Sequence, residues 1–108
     1  MKDKDLAPLS KADIISRLEL LPGWKHKSNK IVKTFEFASF TDAVQFISQL
    51  VVFCNSLDHH PDINISYKKV RFELTRFSVG GKITARDFTV ARKIEDDFGK
   101  YSGKKNSR

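Results

Sequence analysis

The stretch from Ser39 to Leu57 constrains this chain most. Ala43, Phe46, Ile47, Leu50, Phe53, Cys54 and Leu57 recur at helical spacing. Ser39-Phe-Thr-Asp42 supplies a capping box, in which the serine oxygen accepts from a free backbone N–H and the acid reaches back. On both sides the apolar period drops from 3.6 to two, the change that separates a helix from a half-buried strand. Upstream, Gly23 to Lys27 and Lys30 to Phe37 flank Ser28-Asn29, a pair suited to a tight turn. Ile31, Phe35 and Phe37 share one face of the second strand, opposite Val32, Thr34 and Glu36. Downstream, Ile63, Ile65 and Tyr67 alternate with Asn64 and Ser66, and Lys68-Lys69 reads as the turn. Val70, Phe72 and Leu74 then alternate with Arg71, Glu73 and Thr75. Each hairpin is expected to have one covered and one open face.

Two further helices bracket this unit. Ser10-Lys-Ala-Asp13 and Thr84-Ala-Arg-Asp87 repeat the capping form. Ile14, Ile15, Leu18 and Leu21 give the first helix its apolar face, and Pro22-Gly23 is expected to end it. Val90, Ala91, Ile94 and Phe98 do the same for the last helix. Hairpins separated by helices predict an α+β fold: one domain, a four-stranded antiparallel sheet with three helices packed on one face, in the order α-β-β-α-β-β-α. Residues 1–99 form this domain, and residues 100–108 are read as a basic, flexible tail. With nine phenylalanines in 108 residues, there is enough apolar surface for one core.

The central helix carries more apolar surface than one stripe needs. Val44, Val51 and Val52 lie on its other sides, among Ser48 and Asn55. A helix apolar on several sides is buried on several sides, and in so small a domain the second cover is expected to be another copy of the chain, in a homodimer or homotetramer. The lone Cys54 sits inside the apolar stretch and reads as a buried, inert thiol. One cysteine, no apolar h-region after Met1-Lys-Asp-Lys-Asp and no apolar run near the roughly 20 residues of a bilayer span predict a cytoplasmic protein. The net charge is +7, but Lys100, Lys104, Lys105 and Arg108 supply four of those charges. Neither zinc-finger spacing nor a basic heptad accompanies them, so direct nucleic-acid binding is not expected. Gly80-Gly81 lacks the surroundings of a phosphate-binding loop.

At the end of the central helix stands Asp58-His59-His60-Pro61-Asp62. Pro61 pushes His60 out of the helical region. Imidazoles near a helix C-terminus are favoured by the dipole, so the pair alone is ordinary helix-end chemistry; it is equally an acid/base apparatus near neutral pH. His26, among lysines in the first strand, reads as a solvated residue. Adjacent histidines do not face one ion together, and no third ligand lies at zinc-like spacing.

Several of these residues together are similar to a known pattern. Gly23-Trp24, Phe35-Glu-Phe37 with Phe40, Leu57-Asp-His-His-Pro-Asp62, Tyr67-Lys-Lys-Val70 and Arg86-Asp87 resemble the pterin-4a-carbinolamine dehydratase family, whose animal members double as dimerisation cofactors of a homeodomain transcription factor. The resemblance runs from about Leu21 to Phe98. It implies loss of water from a 4a-hydroxytetrahydropterin to give quinonoid dihydropterin, in tetrahydropterin recycling, with no metal or other cofactor. It implies catalytic roles for His59, His60 and Asp87, although capping alone would also explain an acid at 87. It places Tyr67 and Trp24 at aromatic positions around the site, where a flat ring can stack. Two positions depart from the family pattern. Phe77 stands where a third histidine, or a tryptophan, is found, and Asn55 where a charged residue or histidine precedes the pair by four. The 80–81 loop is one residue longer than in close relatives. Arg76, beside Phe77, falls on the opposite strand face and makes a poor base. Phe77 would keep the pocket's shape while removing a proton-handling group. A second reading therefore stands beside the enzyme: a pterin-binding or protein-assembly module with little or no turnover, for which a transcription factor or other protein is the partner by family analogy.

Overall fold

The structure is a computed structural model and describes residues 7–76 and 82–106. Phe77, the Gly80-Gly81 loop, the first six residues and the last two lie outside the described residues. The elements follow the expected order: α1 (Lys11–Leu18), β1 (Lys25–Lys27), β2 (Lys30–Glu36), α2 (Phe40–Leu57), β3 (Asp62–Ser66), β4 (Lys69–Leu74) and α3 (Ala85–Asn106). The strands form one antiparallel sheet in the spatial order β1-β2-β4-β3. The α+β class and the single four-stranded sheet are as the alternation demanded.

Each helix starts where its capping serine or threonine stands. Ser10 Oγ accepts from the Asp13 N–H at 3.1 Å, and Ser39 Oγ from the Asp42 N–H at 3.0 Å. At α3 the acid does the capping instead: Asp87 Oδ2 accepts the Thr84 N–H at 2.8 Å. The core lies between the sheet and the helices. Ile31 and Phe35 of β2 and Val70, Phe72 and Leu74 of β4 are buried against Ala43, Phe46, Leu50 and Cys54 of α2 and Val90, Ala91 and Ile94 of α3. Phe35, Phe37, Phe46, Phe72 and Phe98 form one tilted and edge-to-face aromatic cluster in this layer. On the other face Thr34 and Arg71 are exposed.

Three local expectations are corrected. The first helix ends at Leu18, not at Pro22-Gly23; turns carry the chain from there, and Leu21 still reaches the core. The turn of the second hairpin is Tyr67-Lys68, with Ser66 paired to Lys69, because Tyr67 adopts a left-handed backbone at φ 58°. The isoleucines of β3 share the helix-facing side with Val70 and Phe72, yet every residue of β3 is exposed, because β3 is the edge strand and the helix layer stops short of it. At the other end of the chain, α3 runs on to Asn106, and the Tyr101 hydroxyl donates to Asp42 Oδ2 at 2.8 Å and accepts the Ala38 N–H at 2.8 Å.

Candidate active site

The histidine pair is placed by the way α2 stops. Asp58 caps the helix at φ 51°, ψ 46°, a left-handed conformation that Asp tolerates better than most side chains. Its N–H donates to Asn55 O at 3.2 Å, and that of His59 to Cys54 O at 3.1 Å, which closes the last turn. The reversal turns His59 inward, to 6% exposure, and leaves His60 facing solvent. Pro61 then opens the path to β3. The boundary that Pro61 signals in the sequence is thus what sets the two rings in different environments.

His59 meets the first turn of α3. Its Nε2 is hydrogen-bonded to Asp87 Oδ1, and Asp87 is completely buried. The other carboxylate oxygen holds the start of its own helix, taking the Thr84 N–H and, at 3.4 Å, the Thr84 hydroxyl. Thr84 is set in turn by pairing with Pro8 and by the Leu9 N–H on Ile83 O at 2.9 Å. One residue before the acid, Arg86 Nη1 donates to Leu57 O at 2.9 Å, so a cation caps the end of α2. Arg86 and Asp87 therefore lock the end of α2 and the ring of His59 onto one helical turn. Since a carboxylate only accepts, the Asp87 bond fixes the proton of His59 on Nε2 and leaves Nδ1 for other chemistry.

His60 has a separate support. Its Nε2 lies 2.9 Å from Asn55 Oδ1, one turn back on α2, so Nε2 donates and Nδ1 carries the free lone pair when the ring is neutral. Two imidazoles on adjacent residues, each held at Nε2, are what a reaction that moves one proton off a substrate and another onto it requires. Cys54 takes no visible part: it is buried, and burial pushes its thiol up from the usual value.

Of the other residues singled out in the sequence, Trp24, Tyr67 and His26 lie elsewhere. Trp24 is a core residue: its Nε1–H donates to Glu95 Oε2 at 2.8 Å and its ring packs edge-on against Phe35. Glu95 is two turns beyond Asp87, about 12 Å along the helix. Lys33, on the helix side of β2, binds the same Glu95 oxygen and donates to Pro22 O. Tyr67 is at the tip of the β3–β4 hairpin, the far end from the histidines. His26 is exposed on β1. Phe77 follows Arg76, whose N–H donates to Lys82 O; β4 leaves the sheet at the end where β3 enters it, since Asp62 pairs with Glu73. A hollow of about 320 Å³, lined by Asp62, Ile63, Asn64, Arg71 and Glu73, opens on the bare face of the sheet and includes neither histidine. Among the described residues no cluster of three or more His, Cys, Asp or Glu is arranged to hold a metal ion. No helix among them is long and apolar enough to cross a membrane. Sequence reasoning gave no site role to Thr84 or Arg86, and marked Asn55 only as a departure from the family pattern. Only the capping form hinted at Thr84, and nothing in the spacing shows that Asn55 reaches His60.

With this geometry in hand, the chain was compared with known proteins. The family model for pterin 4 alpha carbinolamine dehydratase matches residues 7–96. The chain belongs to this family. A Chloroflexus aurantiacus relative, provisionally named a pterin-4-alpha-carbinolamine dehydratase, is 38% identical over 91 residues, 84% of this chain and 97% of the relative. A Sulfolobus acidocaldarius relative with the same provisional name is 38% identical over 86 residues, covering 80% and 93%. Among solved structures, a transcriptional coactivator/pterin dehydratase from Brucella melitensis superposes with a TM-score of 0.80 at 28% identity, over 84% of this chain and 98% of that one. A pterin dehydratase-like protein identified as a RuBisCO assembly factor in the alpha-carboxysome has a TM-score of 0.55 at 20% identity, over 68% of this chain and 84% of that one, and shares the fold. Within the family match fall both histidines, Asp87, Asn55 and Arg86.

Proposed function

We propose that this member of the pterin carbinolamine dehydratase family removes water from a 4a-hydroxytetrahydropterin, with His59 and His60 as its proton-handling groups. The observation that carries this reading is the pair of differently held imidazoles, His59 on the buried Asp87 and His60 on Asn55. In the reaction the C4a–O bond breaks as one imidazolium gives its proton to the departing hydroxyl. The other imidazole, neutral, takes the proton from N5, whose electrons complete the quinonoid double bond. One proton is given and one taken, so the enzyme ends with its protons redistributed and solvent restores them, most directly through the exposed His60. Asp87 orients the ring of His59 and sets its tautomer. Each such group is worth about 10²–10⁴-fold.

A dehydration assay on the purified chain tests this. His59→Ala and His60→Ala should each lower turnover by tenfold or more; an undiminished rate in both refutes the assignment. Phe77, in place of the family's third histidine, favours the alternative of a binding or assembly module without turnover. A parent with no rate above buffer, and a Phe77→His variant that gains one, would decide for that alternative. The chain also works as a homo-oligomer in this reading, supported by the outward face of α2, where Phe40, Val44, Val51 and Val52 stand exposed. Sedimentation as a monomer at micromolar concentration refutes this.

A further inference from the structure

The hollow on the bare face of the sheet has a charged lining. Val70, Phe72 and Leu74 are buried under the helices, so Arg71 and Glu73 between them point to the open side. Their partners on β3 are Asn64 and Asp62, each directly opposite. The four side chains make a square tile around the hollow of about 320 Å³, with facing Cβ atoms about 5 Å apart.

Asp62 and Glu73 face each other across the two strands, a placement in which like charges repel. The chain relieves only one of them. Glu73 Oε1 takes Lys30 Nζ at 2.8 Å and Oε2 takes Arg71 Nε at 3.0 Å, so both its oxygens are occupied. The Asp62 carboxylate has neither a hydrogen bond nor an ion pair among the described residues, and Lys30 acts on it only from a distance. Arg71, half exposed, spends its Nε on Glu73, and neither of its Nη groups meets an acceptor among the described residues. The Asn64 amide is equally unused among them. A carboxylate and a guanidinium edge thus stand at diagonal corners of one tile, both open to the hollow.

The charges of Lys30, Arg71, Glu73 and Asp62 sum to zero, and this balance decides the ligand. A lone anion on Arg71 is repelled by Asp62, and a lone cation on Asp62 is repelled by Arg71 and Lys30. A molecule that carries both charges close together satisfies both corners at once. Its ammonium has three N–H groups for Asp62 and the Asn64 carbonyl, and its carboxylate accepts the two Nη groups of Arg71 as a fork. We propose that this hollow binds a free α-amino acid as its zwitterion. Its volume is at the small end of the about 300–1,000 Å³ of ligand sites. Ile63, the one apolar residue of the lining, sends its side chain to the helix side opposite Phe72, so the site suits a short amino acid. Neither histidine lines the hollow, and the binding needs no turnover.

Titrating L-alanine into the isotope-labelled chain should shift the backbone N–H signals of Asp62, Asn64, Arg71 and Glu73 saturably, while those of Thr84 and Asp87 stay in place. N-acetyl-L-alanine lacks the cation and L-alaninamide lacks the anion; each should bind about tenfold more weakly or worse, one charge-assisted bond being lost. Asp62→Asn leaves the tile net positive, so it should lose L-alanine by about the same factor and gain affinity for N-acetyl-L-alanine. Arg71→Gln leaves it net negative and should gain affinity for L-alaninamide instead. Both positions are exposed, and unchanged signals elsewhere show that the fold is kept. The absence of a saturable shift with L-alanine overturns the proposal. Equal binding of either half-charged analogue overturns it too, since the hollow is then a plain anion or cation site. So does an L-alanine affinity that neither variant changes.

Discussion

Replacing Asp87 tests the site and the fold in one experiment. Asp87→Ala removes both oxygens, leaving the Thr84 N–H without its cap and the His59 N–H without an acceptor, in a buried place. The lost cap on Thr84 costs about 1 kcal/mol, and the stranded His59 N–H about 1–3 kcal/mol. The sum is about 2–4 kcal/mol, a large share of the about 5–15 kcal/mol that hold a domain together. For a chain of this size it corresponds to a fall in Tm of about 8–30 °C. Asp87→Asn behaves differently. Its oxygen can stay on the Thr84 N–H, but its amide then points at His59 Nε2, which must give up its proton and accept. The helix start survives, so the cost should be about 1–2 kcal/mol, the difference between a charge-assisted and a neutral hydrogen bond. The tautomer of His59 is reversed, and turnover should fall by 10² or more. Urea unfolding with an unchanged m-value reads the first quantity, and nitrogen-detected NMR of His59 reads the second. An Asp87→Ala loss below about 1 kcal/mol, or equal losses for Ala and Asn, refutes the view that the two oxygens hold two separate elements.

Three other outcomes are expected. Gly23 sits at φ 89°, and a Cβ there would come within 2.8 Å of Lys33 Cε; Gly23→Ala should cost about 1–3 kcal/mol from backbone strain and displacement of the lysine, read by urea denaturation. Burial first, then its bond to Asp42, holds the Tyr101 hydroxyl above its usual 10.0. The folded protein thus keeps a proton that the unfolded chain releases, so parental stability should fall as pH rises past about 10, and Tyr101→Phe should remove that alkaline loss while costing about 1–2 kcal/mol at neutral pH. The bond from Lys30 holds the Glu73 carboxyl below its usual 4.5, so the stability it lends is present above that pH and is lost on acidification through the folded value. The acid limb of the stability curve should therefore be flatter in Glu73→Gln, measured by urea midpoints from neutrality downward.

The fold was legible because its signals are local. Capping residues at 10, 39 and 84 and a clean switch between helical and strand periods fix every element's type, and their order leaves few sheets to choose from. The misjudged places are those where a long-range fact decides. Ile63 and Ile65 alternate as a covered strand would, and only the sheet order reveals β3 as an uncovered edge. The turn slipped by one residue because no sequence rule favours a tyrosine at a left-handed φ. The hydrogen bond of Trp24 to Glu95, 71 residues away, likewise lies beyond any spacing argument. The family pattern singled out His59, His60 and Asp87, and the fold brings the first and last of them into contact. The hydrogen bonds that distinguish the two rings come from a neutral amide five residues upstream of His60 and a helix start 28 residues downstream of His59.

The double use of Asp87 also has a dynamic consequence. Helix ends are the parts of a fold that open most readily, often at a small fraction of the global unfolding free energy. Here the first turn of α3 cannot fray without releasing the ring of His59, so the population of the armed histidine equals the population of the closed turn. A ligand that grips His59 must by the same coupling slow hydrogen exchange at the backbone N–H of Thr84, although it need touch nothing in α3.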